Sequence, residues 1–354
     1  MPTEPARHPD AAAEPWWPEE LRLLQQLSSL ASPWLEVHPL GSIEAAGQTL
    51  PLTAFSLGNA DPSLPAVGYF GGVHGLERIG SHVVLAFLHS LVTRLQWDES
   101  LHQLLASMRL VFLPLVNPGG LLLGTRANPQ GVDLMRNAPV DADERAPAMI
   151  SGQRLSPHLP WYRGAPDAAM EVESETLCRF VQEQLLLRRF AISVDCHSGF
   201  GFVDRIWFPF AHTARPIEHL AELYALAQIQ DASLPHHPYV MEPQSRHYLT
   251  HGDLWDHLYL QARARHAEHT FLPLTLEMGS WLWIKKNPRQ LFSRAGIFNP
   301  LIEHRQQRVL RRHLGWLDFI ARAAHSHARW LPQGETRAQA HEAALDRWYR
   351  GRQH

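Results

Sequence analysis

The stretch GGVHGLERIG, residues 71–80, places a histidine and a glutamate three positions apart in a glycine-rich segment that follows an apolar run. A catalytic zinc takes three protein ligands, often His and carboxylate, and leaves a fourth position for water. His74 and Glu77 could supply two of those ligands, or they could belong to a plain turn. In a chain with 23 histidines such a pair also arises by chance. We expect the second pair, His219 and Glu222, to lie on the solvated face of a helix.

Three further polar clusters follow apolar runs in the same way. A short continuous apolar run is typical of a strand covered on both faces. In a sheet of such strands, ligands bind beyond the carboxyl ends. We therefore expect the four clusters to share one site, where His197 supplies a third zinc ligand and Glu277 a general base. The runs and the clusters that follow them are 66–70 with GGVHGLE, 108–116 with NPGG, 190–195 with CHSG, and 271–276 with EMGS.

Helical patterns alternate with these strands, which favours an α/β fold: a mixed, mostly parallel sheet with helices on both faces, in a single domain. Residues 35–58 alternate apolar and polar positions and predict a hairpin. We divide the chain into a lead and helix (1–34), a catalytic domain (35–300) and a helical extension (301–354), and expect residues 1–18 to be disordered. The predicted helices span residues 19–32, 79–96, 173–189, 216–229, 253–265 and 302–326.

Composition excludes several classes of function. The 354 residues are 45% hydrophobic and 19% charged, as in an ordinary globular protein, and the net charge of −3 argues against a nucleic-acid or anionic-membrane surface. No apolar run approaches the ~20 residues of a membrane helix. Two cysteines, Cys178 and Cys196, are too few for a disulfide scaffold. With no secretion signal at the N-terminus, we expect a reduced, cytoplasmic protein.

Five elements in order resemble the M14 family of zinc carboxypeptidases. The resemblance covers roughly residues 35–300, and its motifs are far more specific together than the first one is alone. The stretches 40–59 and 160–164 are also similar to the opening hairpin of this family and to its approach to the following helix. The five elements are His74-x-x-Glu77, NPGG at 117–120, TRANPQGVDLMRN at 125–137, DCHSG at 195–199 and TLEMG at 275–279.

The resemblance implies a role for each matching residue. One zinc ion per chain would be held by His74, Glu77 and His197. Glu277 would activate water and pass its proton to the leaving amine, and Arg126 would stabilise the developing oxyanion.

The resemblance also implies contacts around this centre. Asp133 would orient His74 from the second coordination shell. Arg136 would pair with a terminal carboxylate, for which a guanidinium gives a bidentate fit, and Asn137 would also bind the substrate.

Two positions depart from the family pattern or leave its assignment open. Met135 stands where the family usually has an asparagine, which removes one polar contact to a terminal carboxylate. Tyr248, in YLTHGDLWD, is the choice for the substrate-gripping tyrosine, with His251 as its competitor.

The function that these features favour is zinc-dependent hydrolysis of an amide bond next to a free carboxylate. We expect a metallocarboxypeptidase that acts on short peptides, including cell-wall peptides. A related N-acyl amino acid hydrolase, of the desuccinylase and aspartoacylase type, is the first alternative. A catalytically inactive binding protein on the same fold is the second. Oligomeric state and the preferred side chain stay open.

Overall fold

A computed structural model of the chain describes residues 17–30 and 32–350. Most of the segment expected to be disordered, residues 1–18, lies outside this range. Eight strands form one sheet. They are β1 (Leu35–Ala45), β2 (Gln48–Gly58), β3 (Ala66–Gly71), β4 (Arg109–Leu113), β5 (Phe190–Ser198), β6 (Arg205–Phe208), β7 (Val240–Pro243) and β8 (Thr270–Met278).

The sheet is mixed and mostly parallel, as the sequence predicted. Its strand order is β1-β2-β4-β3-β5-β8-β6-β7. The central strands β4, β3, β5 and β8 run parallel to one another, and β6 runs parallel to β7. The antiparallel pairs are β1 with β2, β2 with β4, and β6 with β8. The predicted hairpin is β1–β2, whereas the four-residue strands β6 and β7 were not predicted.

Helices cover both faces of the sheet. The two faces are distinguished by consecutive residues of β3, because side chains alternate along a strand. On one face, Tyr69 packs edge-on against Phe87 and donates its hydroxyl to the Leu317 carbonyl, both residues of helices. On the other face, Phe70 packs against Trp255 of a third helix. The helices are α1 (Glu19–Ser28), α2 (Arg78–Arg94), α3 (Glu99–Ala106), α4 (Pro118–Leu123), α5 (Val172–Val181), α6 (Leu220–Ser233), α7 (Leu254–Arg265), α8 (Trp281–Lys286), α9 (Arg294–Phe298), α10 (Glu303–His325), α11 (His327–Trp330) and α12 (Gly334–Leu345).

The carboxyl ends of the four central parallel strands meet at one edge of the sheet. The pairing of β5 with β8 places His197 directly opposite Glu277. The turn after β3 carries His74 and Glu77, and Glu77 precedes the first residue of α2. The expectation that the strand ends share one site therefore follows from the register of the sheet.

The segments outside the predicted catalytic domain pack onto it. In α1, the buried carboxylate of Glu20 contacts Arg78 and His82 of α2. The long helix α10 lies on the sheet beside α2, and its Trp316 donates to Gln230 of α6. Every helix within the described residues is too short or too polar to cross a membrane.

The buried His313 of α10 gives a stability prediction. Its Nδ1 lies 3.0 Å from the Tyr239 hydroxyl. Burial lowers the pKa of His313 to about 4, helped by Arg312 and opposed by Asp204. In the unfolded chain His313 takes up a proton near pH ~6.5, whereas in the folded protein it stays neutral until the pH approaches 4. Proton uptake therefore favours the unfolded chain, and the free energy of unfolding decreases as the pH falls from about 6.5 towards 4.

We predict that this protein loses about 2 kcal/mol more stability between pH 7.5 and pH 5 than His313→Gln does. Denaturant unfolding at the two pH values measures the difference. Equal losses in both proteins would show that His313 titrates normally in the fold.

Candidate metal centre

The turn that carries the first two candidate ligands is built from glycines because it packs against the backbone of α4. A Cβ atom at Gly75 would lie 2.1 Å from the carbonyl carbon of Gly120. In this close packing the turn buries His74 and Glu77, which are 3% and 2% exposed.

The third candidate ligand lies at the end of β5. His197 is buried, and its Nδ1 lies 3.0 Å from Oε2 of Glu77. On the other side, Nδ1 of His74 lies 2.8 Å from Oε1 of the same carboxylate. The Glu77 carboxylate therefore contacts both imidazoles, whose ring centroids are 4.9 Å apart.

Both imidazoles are fixed through their other nitrogen. His74 Nε2 lies 3.0 Å from Oδ1 of Asp133, and His197 Nε2 lies 2.7 Å from Oδ2 of Asp195. In each case the carboxylate accepts a hydrogen bond from Nε2–H, which leaves the Nδ1 lone pair of the ring free to bind a metal. This is the arrangement that metal-ligating histidines usually have.

A test of the fit to zinc comes from the buried Nδ1 atom of His74. It makes no properly aligned hydrogen bond, although it is close to Glu77. Within the described residues, the ligand atoms of His74, Glu77 and His197 all lie within 4.8 Å of one another. Zinc ligands sit about 2 Å from the ion in a tetrahedron, and hence roughly 3–4 Å from one another. The three residues fit zinc.

The charge of the centre also favours a cation. Burial would raise the pKa of Glu77, but the two histidines hold it well below its usual value. Burial would likewise raise the pKa of Asp133, yet Arg126 and His74 lower it. The histidines act on Glu77 through their positive charge when they are protonated. As metal ligands both would be neutral, these carboxylates and Asp195 would outnumber the Arg126 guanidinium, and a divalent cation would replace the missing positive charge.

Arg126 reaches the centre from the loop after α4. Its Nε donates to Oδ2 of Asp133 over 2.9 Å, and its Nη1 donates to Oε1 of Glu77 over 2.8 Å. The side chain is partly exposed and lines the cavity beside the metal ligands. It can therefore face a substrate while it orients two carboxylates.

Glu277 approaches from the end of β8. Its Oε1 accepts a hydrogen bond from the backbone N–H of Phe200. Burial, together with the charge of Glu77, raises the pKa of its carboxyl. A carboxyl group with a raised pKa in a cleft is suited to exchange a proton during a reaction.

A cavity of about 370 Å³ opens beside this centre. It is lined by six of the residues that the sequence singled out: His74, Glu77, Arg126, His197, Tyr248 and Glu277. The rest of its wall is mostly aromatic or aliphatic, from Ile150, Trp161, Phe200, Trp207, Trp281, Ile297 and Phe298.

Of the two candidates for the substrate-gripping residue, Tyr248 lines the cavity and His251 does not. The Nδ1 of His251 instead accepts a hydrogen bond from the Ala142 backbone N–H.

Arg136 and Asn137 lie behind the cavity wall. Arg136 is 3% exposed and donates to the carbonyl oxygens of Ile150 and Met135. Asn137 donates to the Arg163 carbonyl and accepts from the backbone N–H of Glu171. Substrate binding by these two residues stays a prediction.

The second His-x-x-Glu pair corrects an expectation. His219 and Glu222 are buried, not solvated, because α12 packs over α6. The Tyr259 hydroxyl lies 3.0 Å from His219 Nδ1, and Arg337 of α12 pairs with Glu222 over 2.6 Å. The packing of the C-terminal helix was not readable from the local pattern.

Sequence analysis missed Asp195 and Trp255. The indole N–H of Trp255 donates to Oδ2 of Asp195 over 2.9 Å, and the same oxygen contacts His197. A signal for Asp195 was present, because residues two apart in a strand face the same side of the sheet. No such signal existed for Trp255, because it lies in α7, which is distant in the sequence from β5.

The sequence is similar to a known family and to known carboxypeptidases. The sequence model of the family described as zinc carboxypeptidase matches residues 23–279. Carboxypeptidase E of Caenorhabditis elegans is 32% identical over 149 residues, which span 37% of this chain and 32% of that protein. Carboxypeptidase D of Anas platyrhynchos is 25% identical over 183 residues, which span 47% of this chain and 11% of that protein. The chain thus matches only a minor part of each relative's length.

Solved structures show the same fold. The crystal structure of thrombin activatable fibrinolysis inhibitor superposes with a TM-score of 0.63 at 17% identity, covering 86% of this chain and 72% of that one. Carboxypeptidase A from Helicoverpa armigera gives a TM-score of 0.54 at 16% identity, covering 84% of this chain and 71% of that one.

The contact of Trp255 with Asp195 gives a prediction. Trp255→Phe removes the indole donor that fixes Asp195, so we expect zinc affinity to fall by about tenfold, the lower end of the range for outer-shell partners. Chelator competition measures the affinity.

Trp316→Phe is the matched control, since Trp316 is equally buried and also donates to a side-chain oxygen, that of Gln230. It should lower thermal stability and leave zinc affinity unchanged. Equal zinc affinities in the two variants would contradict this role of Trp255.

Proposed function

This chain belongs to the zinc carboxypeptidase family, and from that premise we propose that it is a zinc-dependent metallocarboxypeptidase that releases the C-terminal residue of short peptides. The observation that carries the proposal is the orientation of the two imidazoles. His74 and His197 each bind a buried aspartate through Nε2 and direct Nδ1 to the carboxylate of Glu77. This orders three zinc ligands beside a cavity that also contains a carboxyl group and a guanidinium.

Each group has a chemical task in this proposal. Zinc, when bound by His74, Glu77 and His197, makes water more acidic and polarises a carbonyl group. Glu277 takes a proton from the attacking water and delivers it to the leaving amine, for which its raised pKa is suited. Arg126 stabilises negative charge that develops on the carbonyl oxygen.

The lining of the cavity favours a substrate with a large apolar residue at its C-terminus. Apart from the metal ligands, Arg126, Glu277 and Tyr248, most of the side chains that line the cavity are aromatic or aliphatic. Burying an aromatic side chain there removes much apolar surface from water. We therefore propose a preference for aromatic and large aliphatic residues.

A second cavity of about 440 Å³ adjoins the first and supports a peptide substrate. The two share Arg126, Trp161, Ile297 and Phe298 as lining residues. This additional space would hold residues that precede the cleaved bond. A small acylated amino acid would leave it empty.

The buried guanidinium of Arg136 supports recognition of a free carboxylate. Among the described residues, no carboxylate lies within ion-pair distance of Arg136, which donates only to backbone carbonyls. One of these is the carbonyl of Ile150, a residue of the cavity wall. Release of that bond would let Arg136 pair with a substrate carboxylate.

The experiment that tests the proposal is a substrate screen with the zinc-loaded protein. Peptides with C-terminal Phe, Leu, Lys or Glu are compared with their C-terminal amides and with N-acetyl and N-succinyl amino acids. Release of Phe or Leu from free-acid peptides only is the expected result. Cleavage of acyl amino acids in preference to peptides would favour the amidohydrolase, and zinc binding with no hydrolysis would favour an inactive binding protein.

Replacement of Glu277 by Gln should lower kcat by about 10²–10⁴-fold, the usual contribution of a general acid–base group. Zinc content should be unchanged, because Glu277 is not one of the proposed ligands. Glu173→Gln is the control, since burial also raises the pKa of this carboxyl outside the cavity. A Glu277→Gln protein with normal kcat would contradict the role of Glu277.

Replacement of Arg136 by Met should raise KM for free-acid peptides by about 10–100-fold, the effect of losing a charged hydrogen bond. C-terminal amides should stay uncleaved, as in the unmodified protein. Arg188→Met is the matched control, since Arg188 is also buried and bonded to backbone carbonyls, among them those of Asp61 and Leu64. Equal KM values for Arg136→Met and Arg188→Met would show that Arg136 does not bind the carboxylate.

A further inference from the structure

Two residues at the end of α9, Phe298 and Asn299, contact both halves of the metal centre. The Phe298 carbonyl accepts a hydrogen bond of 2.7 Å from the Ser198 hydroxyl, next to His197. The side chain of Asn299 contacts the turn that carries the other ligands. We refer to residues 298 and 299 as the bridging segment, because they contact two ligand-bearing elements that lie more than 100 positions apart in the sequence.

The Asn299 side chain binds on both sides of Glu77. Its Oδ1 accepts from the backbone N–H of Ile79 over 2.9 Å, and its Nδ2 donates to the Leu76 carbonyl over 2.8 Å. The Ile79 N–H is one of the first in α2, and these lack a partner within the helix. Asn299 is itself buried, and its bond to the Ile79 N–H is buried while that to the Leu76 carbonyl is partly buried.

Ser198 completes the connection from the other strand. Its backbone N–H donates to Oε2 of Glu77 over 2.9 Å, while its hydroxyl donates to Phe298. The end of β5 and the turn after β3 are thus joined to each other and to the bridging segment. A shift of any one of these elements would change the distances between the Nδ1 atoms of His74 and His197 and the carboxylate of Glu77.

The bridging segment is held by its own local structure. Gln290, which is buried, donates through Nε2 to the carbonyls of Gly296 and Asn299. A Cβ atom on Gly296 would lie 2.4 Å from the Gln290 carbonyl oxygen, so the loop is closely packed. These residues lie beyond position 279, where the match to the zinc carboxypeptidase family ends.

We propose that Asn299 and the Phe298 carbonyl are positioning groups that hold His74, Glu77 and His197 at the spacing required to bind zinc. The polar groups of the bridging segment contact the elements that carry the ligands, while the Phe298 side chain lines the cavity. This inference rests on the proposed zinc site. It assigns a role in zinc binding to residues that lie beyond the family match.

The test compares zinc affinity and zinc release rate in the full-length, zinc-loaded protein and its variants, with a chromophoric chelator as competitor. Asn299→Ala should weaken zinc binding by about tenfold, within the range for outer-shell partners. Ser198→Ala removes the hydroxyl bond to Phe298 and should weaken it severalfold, which provides a second test if Asn299→Ala does not fold.

Asn59→Ala is the control, with the same kind of bonds at an exposed position. Asn59 also uses both amide atoms on backbone groups, the Ala106 carbonyl and the Asp61 N–H, but lies after β2 at the opposite edge of the sheet. It should change thermal stability without changing zinc affinity, which separates positioning from general destabilisation.

Tight zinc binding by the unmodified protein, with affinities in folded Asn299→Ala and Ser198→Ala within twofold of it, would overturn the positioning role alone. Failure of the unmodified protein to bind zinc would overturn the proposed function, and the positioning role with it.

Discussion

The metal centre depends on two hydrogen bonds, from Nε2 of His74 to Asp133 and from Nε2 of His197 to Asp195. Each bond fixes the tautomer and the ring orientation of an imidazole. Together they direct both Nδ1 atoms to one carboxylate, that of Glu77. Without them the rings could rotate, and three residues that are close in space would not form a binding site with a defined geometry.

Much of the surrounding fold serves to place those two aspartates. Asp195 belongs to the same strand as His197 and is fixed by Trp255 from α7. Asp133 lies in a long loop and is fixed by Arg126, which also contacts Glu77. Each aspartate thus has a second donor from a separate element, so the centre couples the strand ends, α7 and the loop after α4. The bridging segment adds a contact from beyond residue 279.

The sequence predicted the α/β class and the four central strands, and it brought His74, Glu77, His197 and Glu277 together because each follows an apolar run. Arg126 and Tyr248 were identified only through the family resemblance, and the aromatic wall of the cavity was not predicted. The sequence could not predict contacts between elements that are distant in the chain. Trp255 reaches Asp195, and Asn299 reaches the turn around Glu77, only through tertiary packing. The same reason explains why His219, expected in solvent, is buried, and why Arg136 lies behind the wall formed by Ile150.

The most direct test of this account is the zinc content of the purified protein, measured beside that of His74→Ala, His197→Ala and His219→Ala. The account predicts one zinc per chain in the unmodified protein and in His219→Ala, the histidine of the other His-x-x-Glu pair. Both His74→Ala and His197→Ala should lose the metal while their circular dichroism spectra show a retained fold. A protein that binds no stoichiometric zinc even when zinc is supplied would contradict the central claim.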